Sequence, residues 1–221
     1  MRNGVALALL FAVSCGGSTV GVSPSPSPDE STPPFAQLLL VAKVAQYQVT
    51  LKATSSVQGA GIIGEQLWYF KQGKTRFDFV SFDAGRTTNV SIFELPNGVF
   101  SCTGSGSQTQ CAAISASDPS RWSNPAAFYQ AAIGAHPSQF TGISVGQRHI
   151  GDEHGHCYDI HAAAGASELP DGHFCYTLQG IPLALRVTEP TAQWSFEATS
   201  VARAVPDSAF ILPTAPGVGG P

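Results

Sequence analysis

From residue 47 onward the chain alternates. Tyr47, Val49, Leu51 and Ala53 are apolar, and Gln48, Thr50, Lys52 and Thr54 between them are polar. That is the period of a strand with one buried and one solvated face. Just before it, Phe35, Leu38, Leu39 and Ala42 recur at helical spacing after Pro33-Pro34, which predicts a short helix opening the domain. Leu67–Lys71 and Thr75–Ser81 flank Gln72-Gly73-Lys74 as a hairpin, with Phe77 and Phe79 turned inward. Thr88–Leu95 and Gly98–Cys102 flank Pro96-Asn97 as a second hairpin, and Gln110–Ile114 pairs back on the strand ending at Cys102. The alternation then breaks. Asn124-Pro125 and Gly134 bracket Ala126–Ile133 as a short helix. Strands resume at Ile143–Ile150, Glu153–Ala162, Gly172–Leu178, Leu183–Thr188 and Trp194–Ala204. The pattern is a long antiparallel meander with one helix before it and one inserted in its middle.

The first 34 residues do not fit this meander. Arg2 precedes an apolar stretch, Val5–Val13, too short to span a bilayer as a helix. Ala12-Val13-Ser14-Cys15 follows, and it resembles the lipobox of bacterial lipoproteins. That resemblance implies export, cleavage before Cys15 and acylation of its thiol. A diacylglyceryl anchor holds firmly, because each buried methylene contributes about 0.8 kcal/mol. Residues 16–34 read GGSTVGVSPSPSPDESTPP, with too few large apolar side chains to offset the entropy of ordering. Such Ser-Pro repeats favour an extended tether, long enough to lift a domain roughly 40–60 Å. The expected organisation is a signal peptide at 1–14, an acylated Cys15 and linker at 15–34, a domain at 35–213 and a flexible tail at 214–221. About 180 residues suit one core.

Composition narrows the function. Of 221 residues only 12% are charged and the net charge is −4, which argues against nucleic acid, since phosphate binding needs a basic patch. Besides Cys15, four cysteines remain, Cys102, Cys111, Cys157 and Cys175. An even number in an exported domain suggests disulfides. Three pairings are possible. Neighbour pairing, Cys102–Cys111 and Cys157–Cys175, is favoured because each pair flanks a hairpin, and each loop closure would contribute roughly 2.5–3.3 kcal/mol. The second pair sets a register: Asp159 falls opposite His173, and His161 opposite Asp171. Cys157, Asp159, His161, His173 and Thr177 then share a polar face. Tyr158, Ile160, Phe174, Tyr176 and Leu178 share the core face, with His154 and His156 on the core side.

The histidine-rich segment EHGHCYDIH with GHFC invites a metal reading. The register scatters its ligands over two faces, and oxidised cysteines do not coordinate. His161, His173 and Asp159 make a weak surface site at most, so no metal or other cofactor is expected. Gly73-Lys74-Thr75 lacks the glycine that a phosphate-binding loop needs five places earlier, where Trp68 stands. No Gly-x-Ser-x-Gly elbow, paired-carboxylate motif or H-E-x-x-H occurs. An enzyme is not expected.

The helix running into Tyr47–Ala53, the hairpin with Trp68 and Arg76, and the ending Val205-Pro206-Asp207-Ser208-Ala209-Phe210-Ile211-Leu212-Pro213 resemble the lipoprotein-carrier family and its LppX-like lipid-binding relatives. The resemblance spans about 35–213. It implies an α+β fold, a curved antiparallel β-sheet (half-barrel) covered by an N-terminal helix and a short mid-chain helix. It also implies a cavity for a lipid or other hydrophobic ligand, lined by Tyr47, Val49, Leu51, Trp68, Phe77, Phe79, Phe93, Tyr176 and Trp194. The expected protein is non-enzymatic, membrane-anchored and extracytoplasmic. An interaction or stress-sensing module with an unknown protein partner, and a metal-dependent enzyme, are the alternatives.

Overall fold

A computed structural model describes residues 32–42, 45–55, 60–104, 108–115, 133, 136–163, 171–189 and 192–216. One α-helix, α1 (Phe35–Ala42), precedes β1 (Tyr47–Ser55), β2 (Ala60–Lys71), β3 (Lys74–Asp83), β4 (Arg86–Leu95), β5 (Gly98–Thr103) and β6 (Gln110–Ile114). After them come β7 (Phe140–Ile150), β8 (Glu153–Ala162), β9 (Gly172–Tyr176), β10 (Pro182–Glu189) and β11 (Ala192–Ala202). All eleven strands form one antiparallel, curved, open sheet in the order β6-β5-β4-β3-β2-β1-β11-β10-β9-β8-β7. It is thus two meanders, β1–β6 and β7–β11, sealed by pairing of the first strand with the last. Single-turn 3-10 helices at Pro137–Gln139 and Asp207–Phe210 complete the described elements.

The expected hairpins are present, longer than the alternation alone indicated. β2 begins at Ala60, seven residues before the pattern marked it, because a register irregularity between Ile63 and Leu67 hides the period. The β2–β3 turn places Gln72 and Gly73 at φ 47° and 76°, the left-handed pair that matches strand twist in a two-residue hairpin. The helical share is smaller than an α+β description implies. The expected helix at 126–133 lies outside the described residues except for Ile133, which is helical and fully buried.

Register sorts the side chains onto two faces. Tyr158, Phe174, Leu185, Phe196 and Ala53 stand opposite one another across β8, β9, β10, β11 and β1. Val49, Trp68, Phe77 and Ile92 continue across β1 to β4. With Leu51, Phe79, Tyr47 and Tyr176 these form the main core, to which α1 adds Phe35 and Leu38. On the opposite face a small cluster of Phe93, Phe100, Cys102 and Cys111 sits at one end, beside the C-terminal segment.

Candidate functional site

The face that carries α1 is the candidate ligand surface. Helix α1 starts where Pro34 lends its carbonyl to the amides of Gln37 and Leu38, at 2.9 and 3.2 Å. Its Phe35 ring lies 5.3 Å from Tyr158 and 6.3 Å from Tyr176. Behind these rings the aromatics touch in series. Phe174 stacks on Tyr176 at 6.1 Å, Trp68 meets Phe196 at 6.0 Å and Phe77 edge-on at 5.6 Å, and Tyr47 stacks on Phe70 at 5.4 Å. Such tilted and offset pairs contribute about 0.5–1.5 kcal/mol each beyond burial. The Trp68 indole N–H donates to Gln66 Oε1 at 3.0 Å, which satisfies its one polar atom in the interior.

Of the residues expected to line a cavity, Tyr47, Val49, Leu51, Trp68, Phe77, Phe79, Tyr176 and Trp194 share this face. Phe93 does not. It pairs with Arg76 and Phe100, one residue out of step with Ile92, and a one-residue offset in a strand reverses the face. There it packs under the Arg76 guanidinium, 5.0 Å from its ring centre, with Tyr69 on the same cation at 5.1 Å. Arg76 also pairs with Asp78 at 2.8 Å and donates to the Ala209 carbonyl at 2.9 Å. Lys71 pairs with Asp207 at 3.0 Å and donates to the Val205 carbonyl at 3.1 Å. The ending Val205–Leu212 is therefore a strap on the far face and no part of the ligand surface.

Two other sequence assignments need correcting. Leu178 is 52% exposed rather than core. Strand β9 stops at Tyr176, and the Thr177 hydroxyl accepts the amides of Gln179 and Ile181 at 3.2 Å each, so the chain turns and the alternation ends. His156 is buried, but His154 is exposed. Strand β9 ends opposite His156, which leaves His154 a strand neighbour on one side only, edge-on to His149 at 4.9 Å. Tyr158 donates its hydroxyl to the Pro33 carbonyl at 2.7 Å and Thr32 contacts His156 Nδ1 at 3.3 Å. Burial pushes the Tyr158 phenol up to about 12, and drives that of fully enclosed Tyr176 upward too.

On the opposite face Cys157 is bonded to Cys175, and Cys102 to Cys111 farther along. Beside the first pair runs a cross-strand row of Ile143, Asp159, His173, Arg186 and Ser195. His173 Nδ1 meets Asp159 Oδ1 at 2.8 Å, and His161 meets Asp171 at 2.8 Å. The three residues weighed for a surface metal thus divide between two His–Asp contacts. Asp159, His173, Arg186 and Ser195, together with Arg148 and Glu197 paired at 3.1 Å, line a cleft of 290 Å³ with Ala184, Leu185 and Phe196. Nothing in the sequence marked this cleft; only the register joins five strands, β7 to β11, into it. Cys15 and the signal segment lie outside the described residues. Among the described residues no helix is long and apolar enough to cross a membrane.

No family model and no curated protein matches the sequence. Solved structures do match. LprF from Mycobacterium bovis is 9% identical, with a TM-score of 0.50 over 86% of this chain and 100% of its own. The lipoprotein LppX from Mycobacterium tuberculosis is 8% identical, with a TM-score of 0.46 over 77% and 96%. MucB, solved alone and with MucA, is 12% identical with a TM-score of 0.47, and the chain spans about 60% of its length. The chain shares the fold of LprF, an open curved antiparallel sheet.

Proposed function

We propose that this protein is a lipoprotein of the bacterial envelope, anchored through Cys15, whose helix-bearing face holds an acyl chain or similar hydrophobic ligand without transforming it. The observation that carries the reading is the apolar band on one face, from Tyr158 through Phe174, Leu185, Phe196 and Ala53 to Trp68, Phe77 and Ile92. A surface of that length is the usual wall of a lipid site, where few polar groups fix the ligand. Two disulfides fit an oxidising compartment outside the cytoplasm. Helix α1 is the natural gate. It is eight residues long, without a charged side chain, and it covers Tyr158 and Tyr176 through one phenylalanine.

The test is direct. Protein purified from cells is expected to carry a lipid by native mass spectrometry and to bind a fluorescent fatty acid. Ala53→Phe, opposite Phe196 in the band, fills space there and is expected to reduce that binding at least tenfold while circular dichroism stays that of a sheet. Undiminished binding in the folded variant, or no binding by the parent, leaves a packed core and ends the proposal.

A further inference from the structure

We infer that Cys157, Cys175 and His173 form a thiol-gated binding site for a soft or borderline metal ion such as Zn²⁺, closed while the cysteines are bonded and opened by reduction. Of the two reasons for expecting no metal, the scatter over two faces does not apply to Cys157, His173 and Cys175, which share one face, and the bonding of the cysteines lapses once the pair is reduced. The two Sγ atoms and a His173 ring nitrogen all lie within 4.8 Å of one another. Cys175 Sγ is 3.6 Å from His173 Nε2. In a tetrahedral site with Zn–N about 2.0 Å and Zn–S about 2.3 Å, nitrogen and sulfur stand about 3.5 Å apart. The histidine therefore already sits at ligand spacing. Only the sulfurs must separate, to about 3.8 Å, which side-chain rotation supplies once their bond is gone.

The outer partner is in place as well. Asp159 Oδ1 contacts His173 Nδ1 at 2.8 Å, and so presents Nε2 to the sulfurs. A carboxylate behind a histidine fixes its tautomer and raises its basicity in zinc sites. Both Asp159 and His173 line the 290 Å³ cleft, and the two cysteines are buried behind His173. A dithiol of the thioredoxin class is the reductant. Its thiolate attacks one cysteine sulfur and forms a mixed disulfide, and its second thiol resolves that bond. Two electrons and two protons pass to Cys157 and Cys175, and the dithiol leaves as a disulfide. Zn²⁺ then displaces the two thiol protons and is held by two thiolates and one neutral imidazole.

Co²⁺ reports this site by a thiolate-to-cobalt charge-transfer band. The probe is the full chain carrying Cys15→Ser, Cys102→Ser and Cys111→Ser, which leaves Cys157 and Cys175 of its five cysteines. It is reduced with a phosphine and compared with its oxidised form and with the reduced parent. Reduced protein is expected to bind one Co²⁺ per chain, displaced by Zn²⁺, and oxidised protein none. Asp159→Asn is expected to weaken binding about 10–100-fold with the band retained. His173→Ala or His173→Gln is expected to weaken it further and shift the band. Three results overturn the site: no band in reduced, folded protein; equal affinity in a folded His173 variant; or reduction that unfolds the domain with Zn²⁺ unable to restore it.

Discussion

Tyr158 shows how one side chain ties three levels of this protein together. Its ring belongs to the core face of β8, and its hydroxyl reaches out to the Pro33 carbonyl at 2.7 Å. The hydrogen bond pins the last residues before α1, and so sets where the helix begins. Burial raises its pKa to about 12, above the ordinary tyrosine value of about 10. The protonated form is the one the fold favours. That contribution is fully present below about pH 10 and is lost as pH rises toward 12. Tyr158→Phe is expected to cost about 1 kcal/mol at neutral pH and to make the alkaline loss of stability shallower between pH 10 and 12. Denaturant melts of both proteins across that range check it; parallel alkaline limbs would count against the assignment. Phe93 makes the complementary point. It looks like any other core aromatic in sequence, yet one step of register hands it to Arg76 and the strap on the far face.

Among the elements, α1 is held by shape more than by area. Gly142 of β7 lies beneath Phe35 so closely that a Cβ there would stand 2.6 Å from its Cβ and Cγ. Opposite Gly142 in the ladder comes Ile160, then Gly172, where a Cβ would meet the Phe174 ring at 2.6 Å. Glycines at these two positions make room for two rings. Gly142→Ala is expected to push Phe35 outward and to destabilise the domain by about 1–3 kcal/mol. Thermal melting reads the loss as a drop of roughly 2–4 °C per kcal/mol in a domain of this size. If the helix is the gate, the same variant exchanges bound fatty acid faster. An unchanged melting temperature would mean that α1 is not seated on β7 as described.

At the scale of the molecule, strand pairing among the described residues joins the two meanders at β1 and β11 alone, whose residues are some 150 apart in sequence, as Thr50 and Ser200 are. Both edge strands, β6 and β7, are neighbours in sequence, so one connection must pass from edge to edge. Its Ile133 is buried in the main core. The proposed anchor, Cys15, is tested in cells. Cys15→Ala, expressed in bacteria that process lipoproteins, is expected to move the protein from the membrane to the soluble fraction or to leave an unprocessed precursor. Fractionation and intact mass check this. Equal membrane retention with unchanged processing would show that Cys15 carries no acyl group.

The chain by itself determined what depends on neighbours in sequence. Alternation marked most strands because a half-buried strand must repeat every two residues, and Gln72-Gly73 marked its hairpin because the turn needs left-handed backbone. Cysteine spacing placed Asp159 opposite His173, since a disulfide between two neighbouring antiparallel strands sets their register. What alternation cannot express is which strands meet when they are far apart, or where a pattern slips. The pairing of β1 with β11, the exit of Leu178 and His154 from the core, the reversal of Phe93 and the early start of β2 were all decided by the folded sheet. So was the joining of Asp159 and His173 to Arg148, Arg186, Ser195 and Glu197 in one cleft. Each is a consequence of contacts between segments that only the tertiary structure brings together, where burial and hydrogen-bond satisfaction override the local period.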